Sequence, residues 1–327
     1  ISICLLAVIA ASCSKEDIKY PIEDVDPSQA QIQVAYMCPK AAITANYIYT
    51  VVINGQKYSN NGSSFLATYN YVPSASAGLF YVVKAGEVSI QFLDKDNKEV
   101  YNQKVTVAEG SRQMVVVYDF AKAPAVVPTK DPLKFPGVSA TGDKCSVRLY
   151  NFLFESEGVP MTDKIQYGIQ NIETKVYEPV GTPIAFGEAT DFIPVDIDKE
   201  GPGGSGFNTS GSQRRDVCFF RIDAQTGENK GQLQFTNAKG KVGTFTDYWN
   251  WAIGRGYLNF ARGVLDSKTY VVAIKQFVAN YNPHRGSASP LSPFFAPTQK
   301  PKWGFWWGFL NLWWVFAYFS VKITNFA

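Results

Sequence analysis

Short apolar runs, each closed by a turn signal, constrain the fold of this chain more than any other feature. Residues 48–53 form such a run, and Asn54 and Gly55 follow it. This dipeptide suits the two positive φ values of a tight hairpin turn. Similar runs recur over residues 31–121, and no segment there keeps a helical period. Seven or eight short strands with regular turns predict an antiparallel β-sandwich.

The run pattern repeats in residues 144–282, which predicts a second sandwich related to the first. A chain of 327 residues is also longer than one typical domain. Three pairs of stretches match between the two units: residues 32–34 with 147–149, 65–73 with 186–194, and 114–120 with 271–277.

Prolines recur every fourth residue between the two units, within residues 122–143. Such spacing favours stiff polyproline II structure, so we expect a rigid linker there. The predicted organisation is all-β with two tandem sandwiches. Its segments are a signal peptide (1–12), an anchor and tether (13–30), sandwich 1 (31–121), the linker (122–143), sandwich 2 (144–282), a Pro/Ser-rich linker (283–302) and an aromatic tail (303–327).

The N-terminal apolar segment, residues 3–11, has the length of a signal-peptide core and is too short to span a bilayer. The small residues Ala10, Ala11 and Ser12 precede Cys13, and this arrangement resembles the lipobox of bacterial lipoproteins. The resemblance implies that Cys13 is lipidated. An ordinary secretory signal with an incidental cysteine is the alternative. Because the chain starts at Ile1 without a basic region, we expect that the signal is truncated at its start.

The residues after Cys13 resemble the export signal of Bacteroidota-type surface lipoproteins, a lysine followed by acidic residues. They are Ser14, Lys15, Glu16 and Asp17. The resemblance implies an outer-membrane protein that is held by its lipid and exposed at the cell surface. Display on the periplasmic side is the alternative. With its anchor, repeat and strand order, the chain resembles surface lipoproteins that carry two repeats of an Ig-like domain of unassigned function. This resemblance implies Ig-like sandwiches and supplies no catalytic residues.

Residue content excludes several functional classes. The only histidine is His284, which argues against histidine-based catalysis. The net charge of +3, without a run of Lys or Arg, argues against nucleic-acid binding. The acidic groups around Asp94 and Asp196 suit a hairpin turn and a solvated strand face better than a cation site. We therefore predict no enzyme activity, no cofactor and no metal site.

Three cysteines lie outside the signal and anchor: Cys38, Cys145 and Cys218. In an oxidising compartment the pair Cys145 and Cys218 is the most plausible disulfide. Buried free thiols are an equal alternative. The sequence leaves the choice open.

One aromatic cluster near the end of sandwich 2 resembles a carbohydrate-binding surface. Rings stack on the apolar face of a sugar, and neighbouring polar groups bond its hydroxyls. Aromatic side chains buried in the sandwich are the alternative. The candidate ligand-binding residues are Asp247, Tyr248, Trp249, Trp251, Arg255 and Tyr257.

The tail contains an uncharged segment, residues 303–321, between Lys302 and Lys322. Its length approaches that of a bilayer-spanning helix, but its tryptophans favour the membrane interface over the bilayer centre. A membrane-associated segment, an aromatic binding surface and a non-native tail are three open interpretations.

These observations predict a lipid-anchored binding module of the cell surface, for glycans or another extracellular ligand. The alternative is a structural or adhesive surface protein, in which the repeats act as spacer and protein-contact modules. Exposure of Trp249 and Trp251 separates the two, because buried rings favour the spacer.

Overall fold

The structure, a computed structural model, describes residues 28–73, 80–128, 144–197 and 212–280. Within these ranges the chain consists of β-strands, their connections and one short 3-10 turn, Thr44–Asn46. The predicted all-β fold is confirmed. The signal segment, Cys13, the export signal and the tail lie outside the described residues.

The first half of the chain forms nine strands. They are β1 (Gln29–Tyr36), β2 (Thr50–Ile53), β3 (Gln56–Ser59), β4 (Asn70–Val72), β5 (Tyr81–Lys84), β6 (Gly86–Leu93), β7 (Glu99–Val107), β8 (Arg112–Val117) and β9 (Ala125–Val127).

The second half forms twelve strands. They are β10 (Lys144–Ser156), β11 (Val159–Pro160), β12 (Lys164–Gln170), β13 (Tyr177–Ile184), β14 (Ile193–Asp196), β15 (Ser212–Ile222), β16 (Asn229–Gln232), β17 (Gln234–Thr236), β18 (Val242–Thr244), β19 (Thr246–Ala252), β20 (Gly256–Val264) and β21 (Ala273–Asn280).

The central strands have the same order in the two halves: β1-β8-β9 corresponds to β10-β20-β21, and β3-β2-β6-β7 corresponds to β13-β12-β15-β16. This shared order is the structural form of the sequence repeat. Sandwich 2 also has a separate two-stranded sheet of β17 and β18. In sandwich 1, one sheet runs β4-β1-β8-β9, with β5 also paired to β1, and the other runs β3-β2-β6-β7. In sandwich 2, one sheet runs β11-β10-β20-β21, with β14 also paired to β10. The other runs β13-β12-β15-β16, with β19 also paired to β15. We call the sheets that contain β1 and β10 the inner sheets, and the other two the outer sheets.

Each inner sheet contains one parallel strand pair, β1 with β8 and β10 with β20. The other described strand pairs are antiparallel, as the sequence predicts. Parallel neighbours need a long crossover connection in place of a hairpin. Here the outer-sheet strands form that connection, since they lie between the opening strand and its partner in the chain.

Strand pairing corrects part of the predicted repeat alignment. The opening match is confirmed, because Ile32 and Val34 face the core of sandwich 1 as Val147 and Leu149 face that of sandwich 2. The closing match is wrong by one strand: β8 corresponds to β20, since each runs parallel to its opening strand. The match of residues 65–73 with 186–194 is offset by two residues. It aligns Val72 with Ile193, and Val72 lies opposite Val34. Ile193, however, lies opposite Val147, two residues before the residue that the opening match aligns with Val34.

The central strands of the inner sheets, β1 and β8 in sandwich 1 and β10 and β20 in sandwich 2, are buried on both faces. In β1, Ile32 and Val34 point into the core of sandwich 1, whereas Ala35 belongs to a separate cluster between the two inner sheets. In sandwich 2 this cluster includes Tyr150 and Phe260. We call it the inter-sandwich cluster. The two inner and two outer sheets therefore form four successive layers with three apolar clusters between them.

Aromatic rings dominate the inter-sandwich cluster. Tyr71 of sandwich 1 meets Phe277 of sandwich 2 edge to face, with ring centroids 4.3 Å apart. Tyr118 of sandwich 1 lies 6.1 Å from Phe152 and 5.1 Å from Phe186. Surfaces between domains of one chain are usually more polar than this. The apolar contact favours one rigid unit over two sandwiches that move independently.

The stretch predicted as a linker begins with β-structure. Residues Ala125–Val127 form β9, the edge of the inner sheet, opposite Met114–Val116 of β8. Residues 129–143 lie outside the described ranges.

All three described cysteines are buried free thiols. Cys145 belongs to the core of sandwich 2, whereas Cys218 packs with Phe220 and Ile222 in a small cluster of its own. Because Val217 and Phe219, its neighbours along β15, face the core, Cys218 lies on the opposite face of the strand. The structure therefore matches the free-thiol alternative.

Candidate functional site

The predicted ligand-binding residues do not form one surface. Tyr248 and Arg255 are exposed, whereas Trp251 and Tyr257 are buried. Asp247 and Trp249 are partly buried. The cause is strand geometry, since successive side chains of β19 point to opposite faces of the outer sheet.

Trp251 is a core residue of sandwich 2. Its side chain has no exposed surface, and its ring nitrogen donates a 2.8 Å hydrogen bond to Oε1 of Gln276. The rings of Tyr167 and Tyr257 lie beside it, with centroids 6.4 and 6.3 Å away. A ring enclosed in this way has no face available for a sugar.

Tyr257 also stabilises the sandwich from inside. Its hydroxyl accepts a 2.8 Å hydrogen bond from the backbone N–H of Ala252. Burial raises the pKa of Tyr257 above its ordinary value, so the hydroxyl stays protonated at neutral pH. Trp249 packs against the same core from its rim.

Asp247 lies on the inward face of β19. Its carboxylate accepts a 2.8 Å hydrogen bond from the backbone N–H of Tyr248. Burial raises the pKa of Asp247, because the charged form loses hydration there. Arg255 lies in the β19–β20 turn, where its carbonyl accepts a hydrogen bond from the backbone N–H of Ser146. Neither side chain joins Tyr248 at the outer surface.

Tyr248 contributes to a patch on the outward face of the second outer sheet, which we call the outer-face patch. It consists of Tyr177, Arg214, Asp216 and Tyr248. Tyr248 is 52% exposed, and the Arg214 guanidinium lies 3.9 Å from its ring centroid. Arg214 also donates a 2.8 Å hydrogen bond to Oδ1 of Asp216. This bond raises the pKa of Arg214, and so the stacked cation stays charged.

The register between β15 and β19 brings residues of the outer-face patch together. Asp216 of β15 lies directly opposite Tyr248 of β19. Arg214 is two residues earlier on β15 and therefore points to the same side. Tyr177, on β13, packs against the small cluster that contains Cys218. The patch presents aromatic, cationic and anionic groups on one flat strand surface.

A cleft of roughly 470 Å3 opens at the edge of sandwich 2. Its lining includes three carboxylates, those of Glu173, Glu178 and Asp196. Asn171 donates a 3.0 Å hydrogen bond to Glu178, and Lys144 forms a 3.1 Å ion pair with Asp196. Two of the three acids thus already have partners in the protein. Among the described residues no cluster of metal-ligating side chains is found, and no transmembrane helix is found there either.

An ion network ties the strands of sandwich 2 together near β15. Arg221 bonds Asp163 at 2.5 Å and Glu155 at 2.6 Å, and Lys230 reaches Asp163 at 3.1 Å and Asp223 at 2.8 Å. Burial raises the pKa of Asp163, but the hydrogen bonds and charges of Arg221 and Lys230 outweigh it and hold the pKa below its ordinary value. We assign this network a structural role, since each acid is paired within it.

Comparisons with known proteins give limited similarity. No protein-family model matches the sequence, and no curated protein matches it. Among solved structures, two Bacteroides proteins named for a proposed role in cell adhesion are similar. The one from Bacteroides uniformis shares 9% identity, covers 77% of this chain and 99% of its own, and has a TM-score of 0.22. The one from Bacteroides fragilis shares 8% identity, covers 78% and 98%, and also has a TM-score of 0.22.

A leucine-rich repeat protein from Bacteroides thetaiotaomicron is also similar. It shares 9% identity over 75% of this chain, with a TM-score of 0.18. The match spans only 27% of that protein's length. With TM-scores of 0.18 to 0.22, these likenesses are no basis for transferring a role to this chain.

Proposed function

We propose that the chain is a structural or adhesive protein of the cell surface, in which the two sandwiches act as one spacer and protein-contact unit. The observation that supports this proposal most strongly is the inter-sandwich cluster. Because both inner sheets bury their second face against each other, the two repeats form a stiff body that suits a spacer. Burial of Trp251 and partial burial of Trp249 favour the same role over sugar stacking.

The proposed contact surface is the outer-face patch. Its half-exposed Tyr248 ring and the Arg214 cation are residue types that are enriched at protein interfaces. The Asp216 pair holds the Arg214 guanidinium in position before a partner arrives, which lowers the entropic cost of contact. The proposal includes membrane attachment through a lipid on Cys13, surface exposure and the absence of enzyme activity.

Bead adhesion under flow tests the proposal. Beads coated with the full chain are passed over layers of whole cells, and retention is measured before and after the layers are treated with protease or with glycosidases. We expect retention that is lost after protease and kept after glycosidase treatment. Tyr248→Ser should reduce retention, because it removes the exposed ring of the patch.

Val242→Ser is the matched control. Val242 is 72% exposed but lies on the β17–β18 hairpin, a separate sheet from the one that presents the patch. Retention equal to that of albumin-coated beads would overturn the adhesive role. Retention that disappears after glycosidase treatment would favour glycan binding instead.

A further inference from the structure

Two cations lie side by side at the edge of the inter-sandwich cluster. Lys275 of β21 is directly opposite Phe260 of β20, and Arg262 follows Phe260 by two residues. Arg262 and Lys275 are therefore diagonal neighbours on one face of the sheet, within reach of long side chains. Both are partly buried. Among the described residues neither is paired with a carboxylate.

The ring of Tyr69, a residue of sandwich 1, forms a cation–π contact with the Arg262 guanidinium. The guanidinium carbon lies 3.8 Å from the centroid of the Tyr69 ring. Tyr69 has φ of 61°, a left-handed conformation that is uncommon for a large side chain. Its backbone N–H donates a 2.8 Å hydrogen bond to the carbonyl of Tyr36, which fixes the residue to the end of β1. The Tyr69 hydroxyl also forms a side-chain hydrogen bond with the guanidinium. One part of the N–H edge is therefore engaged, and Nε remains for another acceptor.

Two donors at this place have no acceptor in the part of the chain that the structure describes. They are Nε of Arg262 and the proton of the Tyr69 hydroxyl, since the guanidinium beside that hydroxyl can only donate to it. Tyr69 is only 7% exposed. Buried hydrogen-bonding groups are almost always satisfied in folded proteins, so both donors call for an acceptor.

The local electrostatics favour an acceptor with negative charge. Burial lowers the pKa of Lys275, and the neighbouring charge of Arg262 lowers it further. Burial also lowers the pKa of Arg262. In both cases the charged form is disfavoured, and a nearby anion reverses that effect. Burial raises the pKa of Tyr69, so its hydroxyl remains a donor at neutral pH.

We propose that Arg262, Lys275 and Tyr69 form a binding site for an oxyanion group, a carboxylate, sulfate or phosphate. The fork of guanidinium N–H groups matches two oxygens of such a group, and the ammonium and hydroxyl supply further donors. Both repeats contribute residues, so neither sandwich contains the whole site. The site is independent of the adhesive role, since it lies away from the outer-face patch.

Isothermal titration calorimetry of the full chain in a non-ionic detergent tests this site. The probes are sodium acetate, inorganic sulfate and inorganic phosphate, each at constant ionic strength against chloride. We expect saturable binding of at least one probe with one site per chain. The order of the three affinities identifies the oxyanion that the site takes.

Three variants and a control locate the binding. Arg262→Gln and Lys275→Gln should each weaken binding about tenfold or more, because each removes a charge-assisted hydrogen bond. Tyr69→Phe should weaken it about fivefold, the effect of one neutral hydrogen bond. Lys57→Gln removes the same charge from an exposed position on β3 and should leave the affinity unchanged.

Far-UV circular dichroism of each variant shows that the fold is retained. If Arg262→Gln does not fold, Lys275→Gln and Tyr69→Phe decide the test. Absence of saturable binding in the unmodified chain would overturn the proposal and leave water as the acceptor. Equal weakening by Lys57→Gln and Lys275→Gln would overturn it as well, since the effect would then be one of general charge.

Discussion

A double-mutant cycle across the inter-sandwich cluster tests whether the two repeats are energetically coupled. The pair is Tyr71 of β4 and Phe277 of β21, which are 4% and 9% exposed and meet at 4.3 Å with an interplanar angle of 73°. Replacing each ring by leucine keeps much of the apolar volume and removes the ring contact. We expect each single change to lower the free energy of unfolding by about 1–3 kcal/mol.

The double-mutant cycle measures the coupling energy between the rings of Tyr71 and Phe277. An edge-to-face aromatic pair contributes about 0.5–1.5 kcal/mol beyond its buried area, so the double variant should lose about that much less than the sum of the singles. Urea unfolding of the full chain, followed by far-UV circular dichroism, measures each value, provided that the transition is two-state.

The matched control pairs Tyr71→Leu with Phe245→Leu. Phe245 stacks on Phe219 at 4.7 Å inside the core of sandwich 2, and it belongs to a different apolar cluster from Tyr71. Its coupling with Tyr71 should be zero within about 0.5 kcal/mol. If the Tyr71 and Phe277 pair gives the same near-zero value, the repeats are not coupled through this contact and the rigid-spacer argument fails.

Three further predictions address the anchor, the tail and acid stability. The mature protein should begin at a lipidated Cys13, and mass spectrometry showing an unmodified Cys13 or an uncleaved leader would contradict this. Truncation after Asn282, with Cys13 also removed, should leave a cooperative thermal transition, whereas loss of cooperativity would mean that the tail packs into a sandwich. Asp163 has a pKa below its ordinary 3.8 in the folded state, so its stabilising effect is present above about pH 4 and is lost as the pH falls through the lowered value. Asp163→Asn should therefore make the urea midpoint of unfolding decrease less between about pH 4 and pH 2 than it does in the unmodified chain. An equal decrease would show that the pairs of Asp163 with Arg221 and Lys230 do not contribute to stability.

Strand content and the repeat were readable from the sequence because both rest on local patterns. Residues 48–53, followed by Asn54 and Gly55, predict a strand and its turn, and the structure has β2 and β3 on either side of that turn. The pairing of strands was less readable, since every strand shares the same period of two. For this reason the sequence pattern aligns residues 114–120 with the strand after the corresponding one, although β8 corresponds to β20.

The inter-sandwich cluster has a signal in the sequence. Residues 114–117 are apolar without alternation, as is typical of strands buried on both faces. The predicted ligand-binding surface near residue 248 was wrong for a different reason. Four of its residues lie in β19, and neighbouring side chains of a strand point to opposite faces. The proposed site at Arg262, Lys275 and Tyr69 could not be predicted from local patterns, because Tyr69 is about 200 positions away from the two cations in the sequence.

Burial of both faces of the inner sheets changes which substitutions the chain can accept during evolution. In an ordinary sandwich, every second strand position faces solvent and drifts freely. In β10, eight consecutive residues from Val147 to Phe154 are buried, so that freedom is absent along the middle of the strand. Polar drift is then confined to the outer sheets and the loops, and homologous chains should diverge there first. Sequence similarity between the two repeats should therefore persist longest in the two inner sheets.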